Sequence, residues 1–440
     1  MATMLHPGLR ARAGIVVASF GLAFTGLFPA SPLLWGQQQK TPVQQGIDAY
    51  AKGDYDGAIA DFTQAIQLDP KNVFAYNNRA WAHDRKAEYD QAIADYSSAI
   101  QLDPKSVDAY NNRAWAYDRK DEYDQAIADY SSAIQLSPQS VDAYNNRGWA
   151  YGQKGAYDQA IADYSEVIQL DPKSAAAYYG RGWDYGQKGD YDQAIENYGQ
   201  SILLDPKNAL AYVKRGAAYH KKGEDDLALA DFNQAILLAP TNANAFCQRG
   251  IAYRKKGDTD KAIADFSQAI LLDPKCVPAY TSRGWIYDRK GDYSRAGLDF
   301  NQAIQADPGN VDAYTDRSWL LATCPQSGFR NGKQAVADAT KACELSQWKV
   351  PTVVHTLAAA CAEAGDFDSA IKWESQCLAA ANLGANNVAY TKSILALYQA
   401  HQPYHENELA PSTPAPQPAP LPARQPPPKP ALKPKNWTLP

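Results

Sequence analysis

Apolar and polar residues follow a helical period through most of this chain, and the pattern recurs as a block. In residues 73–106, Tyr76, Arg79, Ala80 and His83 stand at i, i+3, i+4 and i+7, one face of a first helix, here A. Ala92, Tyr96 and Ala99 mark one face of a second helix, B, which ends at Asp103-Pro104. Small residues at 80, 92 and 99 allow close packing, with Tyr76 and Tyr96 filling the gaps. The block returns every 34 residues, punctuated by Pro70, Pro104, Pro138, Pro172, Pro206, Pro240, Pro274 and Pro308. Such strict register means one supersecondary unit duplicated in tandem. Asn72, Ser106, Ser140, Ser174, Asn208, Asn242 and Asn310 are placed to cap each A helix, and only Cys276 departs. Gly155, Gly189, Gly223, Gly257 and Gly291 share a phase suited to a left-handed helix stop.

The residues Tyr110, Ala114, Tyr117, Ala126, Tyr130, Ala133 and Pro138, and again Tyr144, Gly148, Tyr151, Ala160, Tyr164 and Pro172, resemble the tetratricopeptide repeat (TPR). The resemblance implies an all-α, right-handed α-solenoid of about ten 34-residue helix-turn-helix repeats over residues 39–382. The first repeat has a short A helix, an insertion at 324–333 interrupts the ninth, and the tenth runs from about 351 around Gly365, Ala370 and Ile371. A capping helix is expected in 385–405, carried by Val388, Ile394, Leu395, Leu397 and Tyr398, because a stack needs a polar end. One phase departs from the family. Arg79, Arg113, Arg147, Arg181, Arg215, Arg249, Arg283 and Arg317 replace a Leu-like residue, opposite Asp95, Asp129, Asp163, Asp231, Asp265 and Asp299 on helix B, with Asn197 the exception. Inward arginines are costly unless paired, so these read as repeated structural ion pairs rather than a ligand-binding row.

The likeness also implies a concave groove lined by the A helices, in which extended peptides or partner helices lie. Its phases carry Asn77, Asn111, Asn145 and Tyr179, then Asn78, Asn112 and Asn146. One turn on stand Trp81, Trp115, Trp149 and Trp183, and later Trp285 and Trp319. Amides pair with a peptide backbone as donor and acceptor, and tryptophans are rigid contact anchors. The alternative is that the tryptophans pack against neighbouring repeats while the asparagines face water. Asp84, Asp108, Asp118 and Asp142 in early repeats, against Lys214, His220, Lys221, Lys222, Arg254, Lys255 and Lys256 in later ones, offer a charge polarity that could orient a ligand. Solvated turn residues are the plainer account of the lysines. The expected function is a non-catalytic scaffold binding a partner protein or peptide. The alternatives are recognition of a cell-wall glycan by the same Trp and Asn residues, and a purely structural spacer.

The ends differ in kind from the repeats. Arg10 and Arg12 precede an uncharged, apolar stretch over residues 13–36, so 1–36 reads as a signal peptide or an N-terminal membrane anchor, with a buried helix as a third option. Either of the first two places the repeats outside the cytoplasm, periplasmic or extracellular, or tethered at the inner membrane. Residues 406–440 form a Pro-rich tail, with twelve prolines in 411–440 and Arg424, Lys429, Lys433 and Lys435, read as an extended spacer or a second docking segment. Net charge is −5, and the body between these cationic ends is more acidic still, which excludes a general nucleic-acid binder. The six cysteines and six histidines show no metal spacing, and disulfides are open among Cys324, Cys343, Cys361 and Cys377 if the chain is exported. No nucleophile elbow, phosphate loop or dinucleotide fingerprint occurs, so neither cofactor nor catalysis is expected.

Overall fold

The computed structural model describes residues 40–379 and 385–406; the expectations for 1–36 and for the tail beyond Glu406 lie outside the described residues. All regular structure among the described residues is helical. The helices fall into two units divided between Lys188 and Gly189. The first holds α1 (Pro42–Ala51), α2 (Tyr55–Leu68), α3 (Val73–Arg85), α4 (Tyr89–Leu102), α5 (Val107–Arg119), α6 (Tyr123–Leu136), α7 (Val141–Gln153), α8 (Tyr157–Leu170) and α9 (Ala175–Lys188). The second holds α10 (Tyr191–Leu204), α11 (Ala209–Lys222), α12 (Asp225–Leu238), α13 (Ala243–Lys256), α14 (Thr259–Leu272), α15 (Val277–Arg289) and α16 (Tyr293–Ala306). It continues with α17 (Val311–Thr323), α18 (Gly332–Leu345), α19 (Pro351–Glu363), α20 (Phe367–Ala379) and α21 (Ala385–Gln399). Within each unit an odd-numbered A helix packs on the B helix that follows it, and each B helix packs on the next A helix.

The helix starts follow from the caps. Asn72 Oδ1 accepts from Ala75 N at 2.9 Å, and Ser106, Ser140, Ser174, Asn242 and Asn310 repeat the bond, while Cys276 makes none. The stops follow from the left-handed residue after each A helix. Seven repeats use glycine there, Gly53 and Gly365 included, at φ near +80°. Ala87 and Asp121 occupy the same phase at φ +60° and +61°, where a Cβ is strained. Between the paired helices lies a core of alanines and one B-helix aromatic per repeat. Ala80, Ala92, Tyr96 and Ala99 are fully buried, as are Phe232 and Phe266 in the second unit. Close approach is strict there: a Cβ on Gly250 would come within 2.8 Å of the Phe266 ring.

The arginine row is bound up in ion pairs. Nε and Nη2 of Arg79, Arg113, Arg147, Arg215, Arg249, Arg283 and Arg317 donate to both oxygens of a B-helix aspartate at 2.6–2.9 Å. Arg317 reaches Asp338, because the longer connection between α17 and α18 moves the partner from 16 to 21 residues away. In all of these but Arg215 the third nitrogen, Nη1, reaches back to the preceding B helix, to Thr63, Ser97, Ser131, Asn233, Ser267 or Asn301 at 2.7–3.0 Å, and Arg181 makes the same bond to Ser165. In those six repeats the guanidinium thereby ties one repeat to its neighbour as well as helix A to helix B. A second ladder runs along the exposed turns, where Lys86, Lys120, Lys222 and Lys290 pair with Asp56, Asp90, Asp192 and Asp260 thirty residues earlier.

A buried carboxyl changes helices partway along the first unit. Asp84 and Asp118 are 6% and 1% exposed, and each accepts a 2.8 Å hydrogen bond from the B-helix tyrosine twelve residues on, Tyr96 or Tyr130. In the next repeat that position is Gly152, and the carboxyl comes instead from Asp184 of the following A helix. Its Oδ1 stands 2.9 Å from where a Gly152 Cβ would be. Asp184 is 1% exposed, neither oxygen has a hydrogen-bond partner, and burial pushes its carboxyl up to about 8.

Two stability predictions follow from these positions. Ala87→Gly is expected to stabilise the first unit by about 0.5–1 kcal/mol in denaturant titration, since glycine relieves the left-handed strain. At Asp184 the folded chain keeps a proton that the unfolded chain releases. Stability attributable to this residue therefore falls as pH rises from about 4 to about 8 and levels off above, on the order of a few kcal/mol. Asp184→Ala, which installs the residue found at this phase in Ala82, Ala116 and Ala150, is expected to remove that slope. Gly152→Asp alone is expected to destabilise, and the double variant to recover stability with a coupling of about 1–3 kcal/mol.

Candidate functional site

Every asparagine, tyrosine and tryptophan that the sequence assigns to the groove lies on an A helix and is half-buried. In the first unit the tryptophans are wedged against the preceding helical pair. Trp81 stacks on Tyr50 with centroids 4.8 Å apart and planes at 18°. Trp115, Trp149 and Trp183 meet Tyr89, Tyr123 and Tyr157 edge-on at 5.9–6.2 Å. Those three tyrosines open α4, α6 and α8, so each indole serves inter-repeat packing with part of its surface and leaves the rest on the A-helix face. Several polar atoms on this face have no hydrogen-bond partner: Oδ1 of Asn77 and Asn111, Nε1 of Trp115 and Trp149, and Nε2 of Gln153. Asn78 donates from Nδ2 to the Phe74 carbonyl at 2.7 Å. Asn112, Asn145, Asn146 and Tyr179 share the face, and burial pushes the Tyr179 hydroxyl far up. Buried polar groups are normally satisfied, so a run of unsatisfied amides and indoles is a capacity for hydrogen bonding that the fold does not use.

Internal partners take up part of the expected charge polarity. Asp84 and Asp118 are withdrawn into the core against tyrosine hydroxyls. Among the basic residues, Lys222 pairs with Asp192 and Glu224, Lys255 with Asp225, and Lys256 with Asp226. His220 Nδ1 lies 2.6 Å from Asp225 Oδ1. These cations are spent locally, which supports the solvated-turn account. Sequence phase alone cannot separate a residue that faces the groove from one that turns under it.

In the second unit Trp285 and Trp319 come together around a cavity of about 80 Å³. Trp285 on α15 has Arg254 and Arg289 over its ring at 5.1 and 5.3 Å. Trp319 on α17 donates from Nε1 to Glu406 Oε1 at 2.8 Å and leans on His355 of α19, centroids 5.4 Å apart. Beyond α21 the chain turns back, Glu406 N donating to the Thr323 carbonyl at 2.8 Å and Tyr404 packing on Trp319, so the last described residues form one wall. Asp288 and Asp316 also line the space. Burial pushes Asp288 up to about 7, with Glu406 adding to the effect and Arg289 opposing it. Asp316 is driven well above the carboxylate range by burial and by Asp312 and Asp288, with Arg254 opposing. His355 directs Nδ1 to the fully buried Glu374 at 2.8 Å, and its Nε2 has no partner.

Sequence reading found the two tryptophans of this cavity and missed the acids and the histidine. A signal for one of them existed: Asp316 stands at the phase of Asn78, Asn112 and Asn146, seven repeats after the first. His355 and Glu406 carried none, since the longer connection after α17 shifts the register and the return of residues 402–406 is a tertiary event. The cysteines are all free. The thiols of Cys247 and Cys276 lie within hydrogen-bonding reach, a proximity outside the set considered from sequence. Among the described residues no three His, Cys, Asp or Glu side chains converge as a metal site, and no helix is long and apolar enough to cross a membrane.

Comparison with known proteins bears on the fold. A TPR repeat model matches residues 116–155, 184–223 and 219–257. Further tetratricopeptide repeat models match 43–107, 96–128, 141–174, 243–276 and 277–310. No curated protein matches the chain. Among solved structures, a tetratricopeptide repeat protein from Parabacteroides merdae is 23% identical, covering 60% of this chain and 100% of that one, with a TM-score of 0.47. MamA is 30% identical over 37% of this chain and 94% of its own, with a TM-score of 0.34. YrrB, described as a TPR protein with an unusual peptide-binding site, is 24% identical over 42% of this chain and 95% of its own, with a TM-score of 0.35. Repeat models matching one after another from residue 43 to 310 place this chain in the tetratricopeptide repeat family.

Proposed function

We propose that the protein is a non-catalytic scaffold that holds a partner protein or extended peptide along the A-helix face of the first unit, outside the cytoplasm. The observation that carries the reading is the row of unsatisfied amide and indole groups on α3, α5 and α7, interleaved with half-buried tryptophans. A peptide main chain offers alternating donors and acceptors that such groups, shielded from solvent in this structure, can meet once their side chains turn outward, and the indoles supply contact area. Glycan recognition needs open ring faces, and Tyr50 already covers one face of Trp81. The protein reading is therefore preferred. Export rests on the basic start and apolar stretch of residues 1–36, and the tail from 407 is assigned the role of spacer.

Two experiments test this. Cross-linked pull-down from the native host compares the wild type with Asn112→Arg/Asn146→Arg, and with a variant carrying alanine for Trp81, Trp115, Trp149 and Trp183. Melting is measured first, since those indoles also pack between repeats. The expectation is a protein that the wild type captures and rebinds when purified, weakened about tenfold or more in the arginine pair. Equal capture by all three sinks the groove assignment. For compartment, residues 1–40 fused to a reporter that matures only outside the cytoplasm are expected to give signal; a silent, cytoplasmic fusion sinks export.

A further inference from the structure

The cavity of the second unit is a different object from the asparagine face of the first, and its chemistry is that of a cation site. Two indole walls, Trp285 and Trp319, bound a space of about 80 Å³, several waters in size. Four carboxyls stand in or beside it: Asp288, Asp312, Asp316 and Glu406. Against them the fold supplies two guanidiniums, Arg254 and Arg289, both committed to the ring of Trp285. His355 is turned to Glu374, so it does not make up the deficit. No described group donates a hydrogen bond to the carboxyl of Asp288 or of Asp316. The Trp319 side of the cavity thus has an aromatic wall and acid groups but no resident cation.

We propose that this cavity receives the side chain of an arginine in an extended basic peptide. The acids converge too loosely for a metal ion, since no three ligating side chains among the described residues come together as a metal site. A planar, weakly hydrated guanidinium spreads its charge over five donors and stacks on indole while bonding to carboxylates at its edge. The chain already stacks two of its own on the neighbouring ring, which shows that this wall accepts the group. Burial without a compensating charge raises Asp288 to about 7 and drives Asp316 well above the carboxylate range. An incoming guanidinium supplies that charge, so binding releases protons and tightens as pH rises through about 7. The groups that set this response are Arg254 on α13, Asp288 and Arg289 on α15, Asp312 and Asp316 on α17, His355 on α19 with Glu374 on α20, and Glu406. The site does not rest on the groove reading of the first unit, and the probe below needs no partner protein.

Calorimetric titration of the full chain with N-acetyl-arginine amide, and with its neutral isostere N-acetyl-citrulline amide, tests the assignment. Buffers of different ionisation heat report proton release. The expected result is saturable binding of the arginine compound, about tenfold or more weaker for citrulline and for the isosteric variant Asp316→Asn, with net proton release in the wild type that shrinks in Asp288→Asn. Binding confined to citrulline, equal binding of both compounds, absence of binding, or an Asp316→Asn variant that binds as well as wild type would overturn it. Loss of arginine binding with partner capture intact would condemn this cavity alone. The reverse would condemn only the groove.

Discussion

The stack depends on a guanidinium that bonds three helices at once. In each repeat the arginine is half-buried between an A helix and its B helix, where an unpaired charge would cost several kcal/mol. The bidentate aspartate removes that cost and fixes the crossing of the two helices, because a planar fork tolerates little rotation. The remaining nitrogen is fixed by a hydroxyl or amide of the previous B helix, so satisfying the charge also sets the spacing between repeats. Arg215 shows the rule by contrast: it keeps its bidentate Asp231, but the previous B helix presents Gly199, which has no side-chain acceptor to offer.

With cohesion assigned to positions between the helices, the A-helix face is left to vary. The backbone phase that carries Asn78, Asn112 and Asn146 in the first unit carries Lys214 and then Asp316 in the second. The freedom has a limit at Gly180, which shares this phase: a Cβ there would stand 2.5 Å from the Tyr164 ring. One scaffold thus presents an amide-and-indole surface in one unit and an acid-and-indole cavity in the other.

What was legible in the sequence and what was not divide along the same line. Repeat length, helix ends, caps and the arginine pairs are local or fixed-offset features, so periodicity exposes them: Asn72 caps Ala75, and Arg113 meets Asp129 sixteen residues on. Asp84 and Asp118 were read as groove acids. The same helical phase that brings a side chain to the inner face also allows it to turn under toward the next tyrosine, and only the Tyr96 and Tyr130 hydroxyls decide between the two. The migration of that carboxyl to Asp184 was hidden for a related reason, since it requires seeing that Gly152 and Asp184 compensate across repeats. The cavity around Trp319 depends on the chain returning at Tyr404 and Glu406, and no period encodes a return.

The fixed offset that makes the staple work also makes it ambiguous. Helices α4 and α6 have the same sequence, YDQAIADYSSAIQL, so Arg79 and Arg113 search for partners with identical surroundings. During folding, α3 can dock on α6 with its carboxylate, serine and tyrosine all in place, leaving α4 and α5 looped out at little local cost. Discrimination then falls to the irregular places: Gly152 opposite Asp184, the Asn197–Gly199 repeat and the long connection held by Arg330 to Glu363. These blemishes in the repeat act as address marks. A more perfect repeat would be locally more stable and globally less sure of its own register.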